Sequence, residues 1–399
     1  MSQLPAPEAR VVFDPFSYEH HDDPYPTYKL LRDHAPAFFN TEHEFWTLSR
    51  DEDVRGAVHD WETYSSAGGI TIEHTGEATA GQFIEMDPPR HTQMRSLVSR
   101  AYTPRRIGAL EDPCRDLART LIDGFAPTGR CDLIADFSAL LPMAVISWML
   151  GVPDDDQDML RGWSDAMLHR EPGDPSVTPA GMEGATNLFG YFGRLVEERR
   201  ASPDDDLVSV LIAAEEDGQR LSAQELLAFC FLLIVAGNET TTKLIGNAMY
   251  WLEQHPEQRA AVRADRALVP GAVEETLRFD GSTQAMARTL TRDVELHGET
   301  MDAGRKVLLL FGAANRDERR WGPDVDTLDV RRDASGHLGL GHGIHHCLGA
   351  AVARLEARVA LEELLLRLGD YRIDADRLER VHSGNVRGYS RMPLGFTPA

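Results

Sequence analysis

The chain contains 399 residues, of which 42% are hydrophobic and 26% charged, and its formal charge is −23. These values are typical of a soluble globular protein and disfavour non-specific binding to nucleic acid or to an anionic membrane surface. Residues 1–20 lack an apolar signal segment, and the longest apolar run, residues 226–237, is too short to cross a bilayer. We therefore expect a cytoplasmic protein, with four unpaired cysteines: Cys114, Cys131, Cys230 and Cys347.

The N-terminal quarter predicts short elements of mixed type. After an irregular start, the segment DPYPTYKLLRD leads into a first helix. Residues 45–48 are predicted to form a short strand and residues 51–60 a helix. Residues 65–86 are rich in glycine and threonine without a clear period, which predicts a loop. From residue 109 to residue 368 helical periodicity dominates, with breaks near Pro127, residues 151–153 and residues 172–179.

A basic segment interrupts this acidic chain. Residues 88–110 contain no Asp or Glu but five arginines: Arg90, Arg95, Arg100, Arg105 and Arg106. Such a local reversal of charge indicates a surface for an acidic partner.

A long helix with a weak centre is predicted between Ser222 and Pro256. Ser222 and Glu225 form a capping box, and the proline ends the pattern. In the middle, Gly237 and the threonines at 240–242 are poor helix formers, and threonine hydroxyls there can bond backbone carbonyls and distort the helix. Leu232, Ala236 and Thr240 share one helix face, with Val235 beside them; this pattern fits either a pocket wall or ordinary core.

The next predicted helix, residues 270–279, carries a pair of opposite charges. Glu275 and Arg278 lie three residues apart, so they share a face and can pair, although a solvated surface pair has the same pattern. Strands are predicted at residues 293–297 and 306–311, and a hairpin at residues 381–396.

Cys347 lies between a glycine-rich loop and a predicted amphipathic helix that Gly369 ends. A position just before a helix N-terminus favours a thiolate, which is a metal ligand. Two alternatives are an inert core cysteine and a zinc cluster of this cysteine with His342, His345 and His346, although their spacing is unlike that of zinc sites.

The segment around Cys347 resembles the heme-binding signature of the cytochrome P450 family. The residues in register are Gly341, Gly343, His345, Cys347, Gly349, Ala353 and Arg354. Leu340 replaces the usual phenylalanine, which we expect to alter the iron potential but not ligation, and His346 replaces an apolar or aromatic residue. The resemblance implies that Cys347 is the proximal ligand of the iron of heme b.

The resemblance extends to the centre of the long helix. Ala236, Gly237, Glu239 and Thr240 match the family's oxygen-activating motif on the distal helix, where glycine leaves room for dioxygen. It implies catalytic roles for Glu239 and Thr240 in proton delivery.

Structural and cofactor-binding residues are implied in the same way. Glu275 and Arg278 match the ExxR motif, which would form a buried cluster with Arg332. Leu328 replaces a usual phenylalanine near this cluster. The heme propionates would be held by cationic and histidine side chains, and Gly349 would lie beside the cofactor. The expected propionate-binding set is His91, Arg95, Arg288 and His345.

The family implies a fold that is mainly α with a minor β part. It is a single triangular heme domain over residues 1–399, without a fused reductase or ferredoxin module, and the heme lies between the distal and proximal helices. The implied activity is a monooxygenase that inserts one atom of O2 into a small, largely apolar organic substrate. Electrons would come from a ferredoxin and its NAD(P)H-dependent reductase.

The resemblance also gives expectations for the substrate pocket and for partner docking. The pocket is expected to include Leu232, Val235, Ala236, Thr283 and Met286, and the proline- and glycine-rich part of residues 163–199 is expected to form a mobile lid. Arg100, Arg105 and Arg106 are expected to dock the ferredoxin. Alternatives are a peroxide-driven peroxygenase of the same fold, in which the acid–threonine pair is replaced, and a non-catalytic heme sensor.

Overall fold

Helices form most of the chain in the computed structural model, which describes residues 11–72, 82–168, 177–214 and 220–397. In chain order they are α1 Tyr18–Asp22, α2 Tyr25–His34, α3 Asp51–His59, α4 Arg90–Ser99, α5 Pro104–Gly108, α6 Glu111–Phe125, α7 Leu140–Leu150, α8 Gln157–Leu168, α9 Pro179–Ala201, α10 Leu207–Ala213, α11 Ala223–Gln254, α12 Pro256–Ala264, α13 Val269–Phe279, α14 Phe311–Ala314, α15 Glu318–Trp321 and α16 Ala350–Arg367. The predicted class, mainly α with a minor β part, is confirmed.

The strands form small sheets at the periphery of the helices. They are β1 Ala37–Asn40, β2 Phe45–Leu48, β3 Tyr64–Ser65, β4 Arg130–Asp132, β5 Ala285–Leu290, β6 Val294–Leu296, β7 Glu299–Met301, β8 Lys306–Leu310, β9 Tyr371–Ile373, β10 Glu379–Arg380, β11 Tyr389–Arg391 and β12 Pro393–Phe396. The largest sheet has the order β1-β2-β8-β5-β3, and β2 and β8 run parallel within it. A second sheet has the order β4-β12-β9, and β10-β11 and β6-β7 form separate antiparallel pairs.

The long helix α11 is the centre of the core. Its predicted capping box is present, because Ser222 and Glu225 bond each other's backbone, and the helix runs unbroken to Gln254. The predicted capture of a carbonyl occurs at Thr240, whose Oγ1 donates to the oxygen of Ala236 at 2.8 Å. Packing against α7, α9, α13 and α16 overrides the weak propensity of its central residues.

The helix α11 is long and apolar enough to cross a membrane. The uninterrupted apolar run at residues 226–237, from which we predicted no membrane span, does not show this. However, 61% of the most apolar window of α11 is buried inside the protein, as in a core helix. All four cysteines are free, as expected.

The predicted C-terminal hairpin is present but shorter than expected. β10 and β11 pair antiparallel and the N–H of Val381 donates to the Gly388 carbonyl, whereas β12 pairs with β4 and β9. The chain changes sheets at Met392, whose carbonyl accepts from the N–H of Leu133 and whose own N–H donates to Asp132. Pairing with partners far away in sequence is invisible to local turn signals.

The other predicted elements are confirmed with small changes of their ends. The predicted loop at residues 65–86 contains a 3-10 turn, Phe83–Glu85, in its described part. The predicted break at residues 151–153 is a left-handed glycine, with φ +73° at Gly151, and Gly369 has φ +62° just after α16. Of the expected lid, residues 169–176 lie outside the described part of the chain.

Candidate functional site

A cavity separates the distal helix α11 from the loop and helix that carry Cys347. Ala236, Gly237 and Thr240 form its wall on α11, while Cys347 and Val352 lie on the opposite side. The remaining lining is largely apolar and comes from α7, α13, β5 and the loop before α4.

The loop before Cys347 is shaped by glycines that make close approaches. Gly341 and Gly343 both have φ +66°, and a Cβ at Gly343 would lie 2.5 Å from the carbonyl oxygen of Val58. The Cys347 N–H donates to the oxygen of Leu340 at 2.9 Å, and α16 begins directly afterwards, with Gly349 as its N-cap. The predicted position of the cysteine before a helix N-terminus is confirmed.

The predicted effect of that position on the thiol is present but is outweighed by burial. Burial raises the pKa of Cys347 above its ordinary value, although the Gly349 N–H and the charges of Arg95 and Arg354 lower it. Desolvation therefore outweighs the helix N-terminus in this apolar cavity. A cation bonded to the sulfur would stabilise the thiolate at this position.

Two histidines and two arginines lie in or beside the wall of the cavity. His91 is 2% exposed and neither of its ring nitrogens has a hydrogen-bond partner. Its ring lies 4.3 Å from that of His345, which hydrogen-bonds Ser66. Arg95 and Arg288 also line this cavity, and Arg288 is buried. The arrangement is typical of a site for a buried anionic group.

Burial dominates the ionisation of this group. It lowers the pKa of His91 to about 4 and that of His345 to about 3, with further lowering from nearby arginines. Burial also lowers the pKa of Arg288 to about 10. At neutral pH the two histidines are thus neutral hydrogen-bond donors, and the arginines supply the positive charge.

The predicted pair on α13 is a buried charge cluster rather than a surface pair. Glu275 and Arg278 are 2.7 Å apart and their side chains are 0% exposed. Arg332 adds its Nε at 3.3 Å from the same carboxylate, as expected. The cluster joins α13 to the loop 328–332, where Leu328 is also buried.

Four of the five expected pocket residues lie in the wall of the cavity, as does Thr240, whereas Val235 does not. Leu232, Ala236, Thr240, Thr283 and Met286 line the cavity. Val235 does not line it and packs instead on the apolar cluster around α9 and α10, because it is turned about 100° around the helix from Ala236.

Glu239 has a partner that the sequence reasoning missed. Its Oε1 lies 2.8 Å from the Nζ of Lys243, which is buried on the next turn of α11. The spacing of four residues between opposite charges was the available signal.

The proximal helix carries a second missed residue, Glu356, which lines the cavity. Burial raises its pKa to about 8, while a hydrogen bond with Thr241 lowers it. No sequence signal marked this acid as buried, apart from its position among the apolar residues of α16.

The arginines of the basic segment, residues 88–110, differ in their contacts and exposure. Arg90 bonds Glu225, and Arg106 pairs with Asp205 at 2.7 Å, so the charge of Arg106 is partly neutralised. Arg100 and Arg105 are exposed.

Comparison with known proteins identifies the family. Residues 178–369 match the family described as Cytochrome P450. The putative cytochrome P450 123 of Mycobacterium tuberculosis is 45% identical over 392 residues, which covers 97% of each chain. The chain belongs to the cytochrome P450 family.

Two further relatives agree with this P450 assignment. The vitamin D(3) 25-hydroxylase of Pseudonocardia autotrophica is 40% identical over 401 residues, or 96% of each chain. The structure of the cytochrome P450 CYP109Q5 from Chondromyces apiculatus has a TM-score of 0.89 at 38% identity, covering 97% of this chain and 98% of that one. The protein is thus a cytochrome P450 monooxygenase with a heme b cofactor.

The cavity of this P450 fits heme b. Cys347 lines it together with Arg95, Arg288 and His345, and the ring nitrogens of the neighbouring His91 have no hydrogen-bond partner, which suits a flat cofactor with two carboxylates. The zinc interpretation is not supported: within the described residues, no three His, Cys, Asp or Glu side chains are grouped to hold a metal ion. His342 instead bonds His59 at 2.9 Å.

Proposed function

We propose that Cys347 ligates the heme iron and that His91, Arg95, Arg288 and His345 bind the propionates. The observation that carries this proposal is that Cys347, Arg95, Arg288 and His345 line a single cavity, with the ring of the buried His91 4.3 Å from that of His345. When bound, thiolate-ligated heme iron activates dioxygen and transfers one oxygen atom to an organic substrate.

We infer that Thr240 and Glu239 deliver protons on the distal side. The hydroxyl of Thr240 donates to the Ala236 carbonyl, so its lone pairs can accept a hydrogen bond from a proton-carrying group in the cavity. Glu239 is the adjacent acid and is only partly buried, with 16% of its side chain exposed. Gly237 supports the same role, because it has no side chain to fill the cavity beside the helix.

The substrate is proposed to be a small, largely apolar organic molecule that is hydroxylated. Leu232, Thr283 and Met286 present a mainly apolar wall, and water is excluded by the same surface. The relative that is named a vitamin D(3) 25-hydroxylase supports a neutral lipid as one member of this class. A peroxygenase is disfavoured because Glu239 and Thr240 are both retained.

We propose that electrons come from a separate ferredoxin and its NAD(P)H-dependent reductase in the cytoplasm, with the chain forming a single heme domain. The exposed Arg100 and Arg105 support docking of an acidic ferredoxin, whereas Arg106 contributes less because of its pairing with Asp205. Charge reversal at Arg105 is expected to slow electron transfer and weaken its salt dependence. Unchanged kinetics would contradict this docking site.

The test of the cofactor assignment is the optical spectrum of the dithionite-reduced protein with carbon monoxide. We expect the strongly red-shifted Soret band of thiolate-ligated heme, and its loss in Cys347→Ala. A histidine-type spectrum, or a wild-type band that persists in Cys347→Ala, would refute the ligand assignment.

A further inference from the structure

The loop that carries Cys347 is tied to α13 near its start. His337 is buried, and its Nε2 lies 3.1 Å from Oε2 of Glu274 on α13. Its Nδ1 accepts a hydrogen bond from the Gly339 N–H at 3.0 Å. Because a backbone N–H can only donate, Nδ1 is the acceptor, and Nε2 carries the proton that it donates to Glu274. The imidazole ring therefore bridges the backbone of the loop and the helix.

The same carboxylate holds the helix that follows the cysteine. Arg354 of α16 donates to the two oxygens of Glu274, from Nε at 2.6 Å and from Nη2 at 3.0 Å. Two parallel bonds of this kind fix the orientation of the guanidinium. The charge of Arg354 in turn lowers the pKa of the Cys347 thiol. Glu274 thus connects the segment before Cys347 with the helix after it.

The path from His337 to the sulfur runs through close backbone contacts. The chain passes tightly against α13 at Gly339, because a Cβ there would lie 2.3 Å from the Leu277 carbonyl oxygen. Gly339 and Leu340 line the cavity together with Cys347, and the Leu340 oxygen accepts from the Cys347 N–H at 2.9 Å. The left-handed glycines that follow Leu340 leave the loop free to shift. A displacement of Gly339 would therefore move the acceptor that holds the backbone of the cysteine.

We propose that His337 is a positioning residue for Cys347, and that it acts as a bridge between Glu274 and Gly339. This inference rests on the proposed ligation of the heme iron by Cys347. Loss of either hydrogen bond is expected to let the sulfur leave the iron while the rest of the fold persists. Loss of a residue that orients a metal ligand typically lowers metal affinity about 10- to 100-fold. The alternative is that His337 stabilises the whole fold without a specific effect on the cysteine.

Three substitutions of His337 separate the two hydrogen bonds. In His337→Asn the side-chain oxygen can still accept from the N–H of Gly339, two residues further on, but the amide is too short to reach Glu274. In His337→Gln the longer amide can still donate to Glu274, and the bond from Gly339 is lost. His337→Leu removes both bonds. The matched control is His297→Asn, which removes a histidine–carboxylate contact of 2.7 Å with Asp53, at a positive φ that asparagine tolerates.

The measurement is the time course of the red-shifted carbon monoxide band of the reduced, heme-loaded protein in mild urea. Far-UV circular dichroism is recorded on the same samples, so the band reports the bond between cysteine and iron and the dichroism reports the helices. We expect each His337 variant to lose the band about tenfold faster than the wild type, while the helical signal is unchanged. His337→Leu should resemble the other two variants, because one broken bond is enough. His297→Asn should match the wild type in both signals.

The outcomes separate this inference from the proposed function. A wild-type rate in either His337→Asn or His337→Gln would overturn the bridge, because a single hydrogen bond would then suffice. Parallel loss of the band and of the helical signal would also overturn it, because His337 would then stabilise only the whole fold. A wild-type protein without the thiolate band would instead overturn the proposed ligation by Cys347. If His337→Leu does not fold, His337→Asn and His337→Gln decide the result.

Discussion

Replacement of Arg278 by methionine is expected to destabilise the fold strongly. Its Nε and Nη2 donate to the two carboxylate oxygens of Glu275 at 2.8 and 2.7 Å, and its Nη1 donates to the carbonyls of Asn315 and Val325. The substitution leaves a fully buried carboxylate with only the more distant Arg332 as a counter-charge. Removal of one partner of a buried ion pair costs about 3–5 kcal/mol, a large part of the total stability of a typical domain, about 5–15 kcal/mol.

Two further variants make this magnitude testable. Arg332→Met leaves the inner pair intact and is expected to cost only about 1 kcal/mol. The double variant Glu275→Leu/Arg278→Met removes both buried charges, so we expect it to be more stable than Arg278→Met alone. This order separates the penalty of an unpaired charge from the loss of contacts.

The assay is urea unfolding followed by far-UV circular dichroism, together with the heme content of each purified variant. Midpoints are compared rather than extrapolated free energies, because a bound cofactor departs from two-state behaviour. Two results would refute the reasoning about Arg278: a variant within about 0.5 kcal/mol of the wild type, or a double variant that is less stable than Arg278→Met.

Three other predictions concern single positions. Burial opposes the ionisation of Glu274, but hydrogen bonds from a histidine and an arginine lower its pKa to about 2. The ionised carboxylate therefore stabilises the fold fully above about pH 4.5, and this stabilisation is lost as the pH falls toward about 2. Glu274→Gln should flatten the acid side of a plot of urea midpoint against pH. Burial raises the pKa of Glu356 to about 8, so stability should fall as pH rises from about 4.5 to about 8, and Glu356→Gln should abolish this fall in the same assay. A Cβ at Gly271 would lie 2.4 Å from the Val330 carbonyl oxygen, so Gly271→Ala should cost about 1–3 kcal/mol in thermal unfolding, while Gly124→Ala, on an open helix surface, should not destabilise; equal melting temperatures would contradict the clash.

The parts of the site that could be predicted from the sequence are those that depend on the spacing of residues close together in the chain. The start of α11 follows from Ser222 and Glu225, and the place of Cys347 before α16 follows from the glycines and the helical pattern around it. The pairing of Glu275 with Arg278 follows from their three-residue spacing, but their complete burial does not. Burial depends on which element covers the pair, and the loop that does so lies more than 50 residues further along the chain.

The predictions that failed depended on distant contacts or on desolvation. The predicted hairpin at residues 381–396 extends too far, because β12 pairs with β4 and β9 instead of continuing the pairing of β10 with β11. Val235 was assigned to the pocket from its proximity to Ala236, whereas the rotation of the helix turns it toward α9. The helix end lowers the pKa of the Cys347 thiol as expected, but burial in the cavity raises it by more, and the sequence does not show that burial.

Burial in this cavity disfavours the charged forms of three side chains, and one bound cofactor would offset all three effects. Burial lowers the pKa of Arg95 and Arg288 and raises that of the Cys347 thiol, so the cavity disfavours the charged forms of all three groups. Arg95 and Arg288 would hold the carboxylates of heme b and Cys347 its iron, and each pairing would offset one of these costs. Because a ligand that binds only the folded state stabilises that state, folding and heme binding should be strongly linked. The residues whose charged forms are disfavoured by burial are therefore those that mark where the cofactor binds.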